Sequence, residues 1–172
     1  MTTPRHHDHQ AMAIMANAIN MERMGRTFFL RAAKGAKGEE ARQTFLRLAQ
    51  EEETHIEALE EMFNVYGDPG GWSTYQEILS THEDRLDTIT FFDGKLDRAL
   101  LANSGTEALA LAQEHERYSI AFYREKSKLT TDPLCRDFLA DLAAMEEEHL
   151  NQLAEPPSSS RSTHGAQRQR AP

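Results

Sequence analysis

Cysteine is almost absent: Cys135 stands alone among 172 residues. One thiol cannot build an internal disulfide, a four-cysteine zinc site or a cysteine-ligated iron centre, so any metal must be held by histidine and carboxylate. Long apolar runs are lacking too. No stretch approaches the roughly 20 residues that cross a bilayer, and the opening MTTPRHHDHQ has no apolar segment of the secretory kind. The cytoplasm is the expected compartment, with no membrane partner. Positive charge is scarce as well, with 19 Lys and Arg against 28 Asp and Glu and a net charge of −9. Residues 156–172 hold Arg161, Arg168 and Arg170 without an acid, so the acidic excess lies in what precedes them. That balance argues against nucleic acid as a partner and suits a protein that attracts cations.

What is present is mostly helical pattern. Residues 1–10 are polar, include His6, His7 and His9, and read as a flexible arm. From Ala11 to Ala33, Ile14, Ala18, Met21, Gly25 and Phe28 recur every three or four positions among helix formers, which predicts a first helix. Gly35 and Gly38 mark a turn, and Phe45, Leu48, Ile56, Leu59 and Met62 mark a second amphipathic helix ending near Tyr66. Residues 67–104, with GDPGGW and FFDGK, read as a long crossover. Its Trp72 and Tyr75 are expected to anchor it to the bundle. Thr106 to Leu129 predicts a third helix through Leu109, Ala112, Ile120 and Tyr123. Asp132 and Pro133 are placed to cap and start a fourth, ending near Ala154. Residues 155–172, rich in Pro, Ser, Gln and Arg, read as a disordered basic tail. The fold class expected for 11–154 is all-α: two helical hairpins joined by a long crossover, the ferritin-like four-helix bundle.

Chemistry concentrates on two segments, Glu52-Glu-Thr-His55 and Glu146-Glu-Glu-His149. Residues three apart on a helix lie close on one face, so a carboxylate and an imidazole at that spacing can converge on one ion. One such pair in a Glu-rich helix is weak evidence, but here the two halves of the chain repeat. The first helix reads Glu22-Arg-Met-Gly-Arg-Thr-Phe28-Phe29 and the third Glu116-Arg-Tyr-Ser-Ile-Ala-Phe122-Tyr123, while Leu48-Ala49 and Leu142-Ala143 precede each Glu-x-x-His by the same distance. A duplicated hairpin is implied. Counted from the adjoining turns, all four glutamates fall about 20 Å along their helices, at one level near mid-bundle. Four inward carboxylates could not all stay charged in an apolar core without compensating cations, since each would cost several kcal/mol to desolvate. Two divalent ions would compensate them, and oxygen donors with one imidazole per ion suit iron or manganese.

Across residues 11–154 this pattern resembles the rubrerythrin and erythrin branch of the ferritin-like di-iron superfamily. The resemblance implies metal ligands Glu22, Glu52, His55, Glu116, Glu146 and His149, with Glu52 and Glu146 bridging, Glu22 and Glu116 terminal, and one imidazole on each iron. It implies redox catalysis at two Fe ions: oxidation of Fe(II) by oxygen or hydrogen peroxide, or reduction of peroxide, in iron handling or oxidative-stress defence. With no rubredoxin-like part, the electron donor would be external. The additional carboxylate of rubrerythrins on the third helix would fall at Ser119, which separates this chain from the full peroxidase pattern.

Plainer readings stand beside these. Glu51, Glu53, Glu147 and Glu148 read as solvated charge or as partners of the ligands, and His115 as a surface residue or a neighbour of the site. Tyr123, two turns after Glu116, is read first as packing, with a hydrogen-bonding or electron-donating role near the metals as the alternative. Met12, Met15, Met21 and Met24 read as core filler. Two other functions remain: iron binding or delivery without turnover, and a metal-free interaction bundle whose six residues would be surface charge. A homodimer is expected, because the long crossover would let two chains exchange hairpins.

Overall fold

The computed structural model describes residues 9–66 and 105–154. These residues form four helices, α1 (His9–Gly35), α2 (Glu39–Tyr66), α3 (Gly105–Leu129) and α4 (Pro133–Ala154), and no strand. The first helix starts two residues before the expected Ala11 and runs on to Gly35. Crossover 67–104, with its Trp72 and Tyr75, lies outside the described residues, as do residues 1–8 and 155–172.

Local chemistry sets the ends. In α4 the Asp132 side chain accepts a hydrogen bond from the backbone N–H of Cys135 at 2.9 Å, satisfying a free donor of the first turn, and Pro133 follows the cap where its missing N–H costs nothing. The Tyr66 hydroxyl at the end of α2 donates to the same Asp132 carboxylate at 2.5 Å, which ties α2 to the α3–α4 turn. At the other turn, Arg42 donates its backbone N–H to the Gly38 carbonyl at 3.0 Å as α2 begins.

The helices pair as hairpins α1–α2 and α3–α4, and the hairpins meet through α1 against α3 and α2 against α4. The result is the expected ferritin-like four-helix bundle. Its core consists of two apolar clusters. One gathers Met12, Met15, Ile19 and Met21 of α1 with Ile56, Leu59, Phe63, Tyr123, Leu139 and Leu142. The other gathers Phe28 and Phe29 with Phe45, Leu48, Ala108, Ala112 and Leu153. Burying each large apolar side chain contributes about 1.5–3 kcal/mol, and these clusters stabilise the bundle on both sides of a polar layer. Leu109 departs from its expected core position and is exposed, because the core-facing stripe of α3 runs through Ala108 and Ala112. None of the described helices is long and apolar enough to cross a membrane.

Candidate metal centre

Between the clusters the four helices each present one carboxylate, and α2 and α4 each add an imidazole. Glu22, Glu52, His55, Glu116, Glu146 and His149 are all between 0 % and 3 % exposed. That burial overturns the reading of these six as surface charge on a metal-free bundle. They are polar side chains at positions where the helical period demands burial, so their cost must be offset by one another or by a ligand.

The geometry divides them into two overlapping groups. Glu22, Glu52, His55 and Glu146 bring donor atoms within 4.8 Å of one another, and so do Glu52, Glu116, Glu146 and His149. Glu52 and Glu146 belong to both. Glu146 turns Oε1 to within 3.0 Å of His55 Nδ1 and Oε2 to within 3.0 Å of His149 Nδ1. Glu52 does likewise at longer range, with Oε2 3.6 Å from His55 Nδ1 and Oε1 3.9 Å from His149 Nδ1. Glu22 Oε2 lies 3.6 Å from His55 Nδ1, and Glu116 Oε2 3.8 Å from His149 Nδ1. The two imidazoles lie nearly parallel, ring centres 5.1 Å apart and planes 10° from each other.

The charge state follows from burial and proximity. Burial pushes Glu52 well up from the ordinary carboxylate range, and the charges of Glu22 and Glu146 push it further. Glu116 is raised chiefly by burial as well, with Glu146 adding to the effect against the pull of His149. Burial would also raise Glu146, but the two imidazoles beside it outweigh that and hold it below its usual range. For the imidazoles, burial favours the neutral form; it is outweighed by Glu146 and Glu22 at His55, raised to about 9, and by Glu116 and Glu146 at His149, raised to about 10. Without a bound cation the cluster therefore holds protons.

Hydrogen-bond accounting tests whether metal fits. Both oxygens of Glu52, Glu116 and Glu146, Glu22 Oε2, and Nδ1 of His55 and of His149 are buried and make no hydrogen bond. Buried polar atoms are rarely left so, and a donor set of carboxylate oxygens and imidazole nitrogens gathered this way suits a cation. The residues present could hold metal ions.

Residues around the six are placed unevenly. The Tyr123 hydroxyl is buried and donates to Glu22 Oε1, so this side chain hydrogen-bonds to the site as well as filling space. Burial, followed by the Glu22 and Glu146 charges, pushes its ionisation well up, so the phenol keeps its proton. His115 is buried, contrary to the surface reading, with its ring edge-on to Phe29 at 6.0 Å. A Cβ built on Gly25 would stand 2.2 Å from His115 Nε2, so the glycine makes room for the imidazole between α1 and α3. A glycine interior to a strong helix pattern is the sequence signal for such a close approach. Ser119 is buried, and its hydroxyl makes no hydrogen bond. Glu53 pairs with Arg26 and Glu147 with Arg124 on the partly exposed outer faces, whereas Glu51 reaches back towards His149.

Among protein-family models, the rubrerythrin model matches residues 13–155. The chain belongs to the rubrerythrin family. All four described helices of this family member lie wholly or almost wholly inside the matched span, together with all six clustered residues. Comparison with curated proteins and with solved structures gave no match.

Proposed function

We propose that the six residues bind two iron ions and that the protein is a non-haem di-iron oxidoreductase. Glu52 and Glu146 would be shared between the two ions, Glu22 and His55 would complete one position, and Glu116 and His149 would complete the other. The observation that carries this reading is the pair of four-residue groups sharing Glu52 and Glu146, with one oxygen of each shared carboxylate turned towards each histidine. Manganese has the same donor preference and is the alternative metal. Bound iron would supply the electrons for reducing oxygen or hydrogen peroxide, or would itself be oxidised as Fe(II) arriving from outside, in iron handling or oxidative-stress defence.

The protein's own groups would do three things. The apolar layers above and below the carboxylates exclude bulk water, which strengthens every charge interaction between them. Tyr123 holds Glu22 Oε1 and so leaves Oε2 facing the centre. The imidazoles and the raised carboxylates carry protons until a cation displaces them. Ser119 stands where rubrerythrins place a further carboxylate, so the chain departs from the full peroxidase pattern, and oxygen and peroxide both stand as oxidants to be tested. An external electron donor, a homodimeric assembly and a cytoplasmic setting belong to the same proposal.

Anaerobic reconstitution with Fe(II), followed by separate exposure to oxygen and to hydrogen peroxide, tests it. About two irons per chain are expected, with a near-ultraviolet ferric absorption that disappears in Glu52→Ala and Glu146→Ala. Faster oxidation by oxygen would support ferroxidase activity and faster oxidation by peroxide the defensive role. Iron that binds stoichiometrically but is oxidised no faster than free Fe(II) would replace catalysis with storage or delivery.

A further inference from the structure

The two halves of the centre differ just outside the six residues. Superposing the Glu-x-x-His segments puts Glu51 of α2 opposite Met145 of α4. Glu51 Oε2 is buried and stands 3.1 Å from His149 Nε2, the ring nitrogen directed away from the cluster, while Nδ1 of the same ring faces Glu146, Glu116 and Glu52. The approach is off the N–H axis, so Oε2 accepts no hydrogen bond in the arrangement seen here. The second hairpin has no counterpart: Met145 is 42 % exposed, and its thioether offers no anionic acceptor. Among the described residues, every carboxylate within ion-pair distance of His55 faces its Nδ1.

We propose that Glu51 is a positioning residue for His149 and makes the two metal positions unequal. Resting on the di-iron reading of the same six residues, the inference adds which position is tighter. A carboxylate behind a ligating imidazole keeps the proton on the outer nitrogen, so the inner lone pair is free for the metal and the ring is held in plane with it. Glu51 is placed to do this across the hairpin boundary, from α2 to α4. The position formed by Glu52, Glu116, Glu146 and His149 is thus the tighter of the two and fills first. That formed by Glu22, Glu52, His55 and Glu146 fills second.

Titration of the metal-free full chain with Co(II), followed by its visible absorption, reads both constants without any turnover. Two separable steps are expected in the unaltered protein, the first lost in Glu116→Ala and the second in Glu22→Ala. Glu51→Gln is expected to weaken the first step about 10-fold or more while leaving the second in place, the usual range for loss of such a partner. Met145→Glu, at an exposed site that tolerates the change, is expected to strengthen the second step and narrow the gap. Two equal constants in the unaltered protein, or a first step within about twofold of its original value in Glu51→Gln against the tenfold expectation, would overturn the proposal while the metal centre stands. Co(II) binding no different from that of Glu52→Ala would remove the metal centre and this inference together.

Discussion

The Tyr123 hydroxyl on α3 donates a buried hydrogen bond to Glu22 Oε1 on α1, joining the two hairpins at the level of the carboxylates. One oxygen of Glu22 is thereby occupied, and the other is left within 3.6 Å of His55 Nδ1. A phenol in the core and a carboxylate in the site therefore depend on each other.

Tyr123→Phe keeps the ring and strands Glu22 Oε1. Loss of a buried hydrogen bond to a charged acceptor should destabilise the metal-free protein by about 1.5–3 kcal/mol. Two metals per chain should still bind, with weaker uptake at the position containing Glu22. Urea denaturation with and without metal measures both; an unchanged midpoint in the metal-free protein would show that the hydroxyl contributes nothing.

Gly25→Ala reverses the usual effect of the substitution. In an ordinary helix interior alanine gains about 1 kcal/mol over glycine. Here the added Cβ would meet His115 Nε2 at 2.2 Å, and the ring is backed by Phe29, so a net loss of about 1–3 kcal/mol is expected. The same change made in a His115→Ala background should be neutral or stabilising. Additive effects across that double-mutant cycle would refute the contact.

The shared carboxylates should behave differently from the unshared ones. Glu146→Ala is expected to abolish both metals, because Glu146 belongs to both groups, whereas Glu22→Ala or Glu116→Ala should leave about one per chain. In the metal-free state Glu52→Gln should raise stability by roughly 1 kcal/mol, since the amide is neutral already and removes the cost of protonating a carboxylate whose charge burial and its neighbours disfavour. Metal analysis and thermal unfolding on the same samples decide this; a variant with less stability and intact metal content would contradict it.

The pH dependence has a definite sign. His55 and His149 stay protonated up to about 9 and about 10, above their ordinary 6.5. Their contribution to the stability of the metal-free fold is full below that ordinary value and is lost as pH rises through 9 and 10. Glu52 and Glu116, also raised, act in the same direction, and Glu146, lowered, loses its contribution only as pH falls below the carboxylate range. Metal-free protein should thus melt progressively lower from about pH 7 to about pH 10, and the loaded protein much less so. Metal uptake near neutrality should release protons, seen as a heat that varies with the ionisation enthalpy of the buffer. A buffer-independent heat would exclude the coupling.

Period and duplication made the fold and the central cluster legible in the chain. Each helix carries its apolar stripe at a spacing of three and four, and the Asp132-Pro133 start and the Gly35 and Gly38 turn follow from backbone chemistry. The two Glu-x-x-His pairs and the matching Glu22 and Glu116 lie at equal depth because helical rise is constant, so counting residues put them in one layer. Leu109 shows the limit of that reasoning: it fits the period of α3 yet is exposed, since the facing surface decides which edge of a stripe is covered.

What the sequence by itself determined was the set of helices, their pairing as hairpins and the six residues at mid-bundle, because all of these depend on local geometry and spacing along one helix. Only the tertiary structure decided which oxygen of Glu146 faces which histidine, that His115 lies against Gly25, that Tyr123 holds Glu22, and that Glu51 rather than Glu53 approaches His149. Each of these is a relation between side chains on different helices. Its outcome turns on differences of a few ångströms in crossing distance and helix rotation, to which the one-dimensional period is blind.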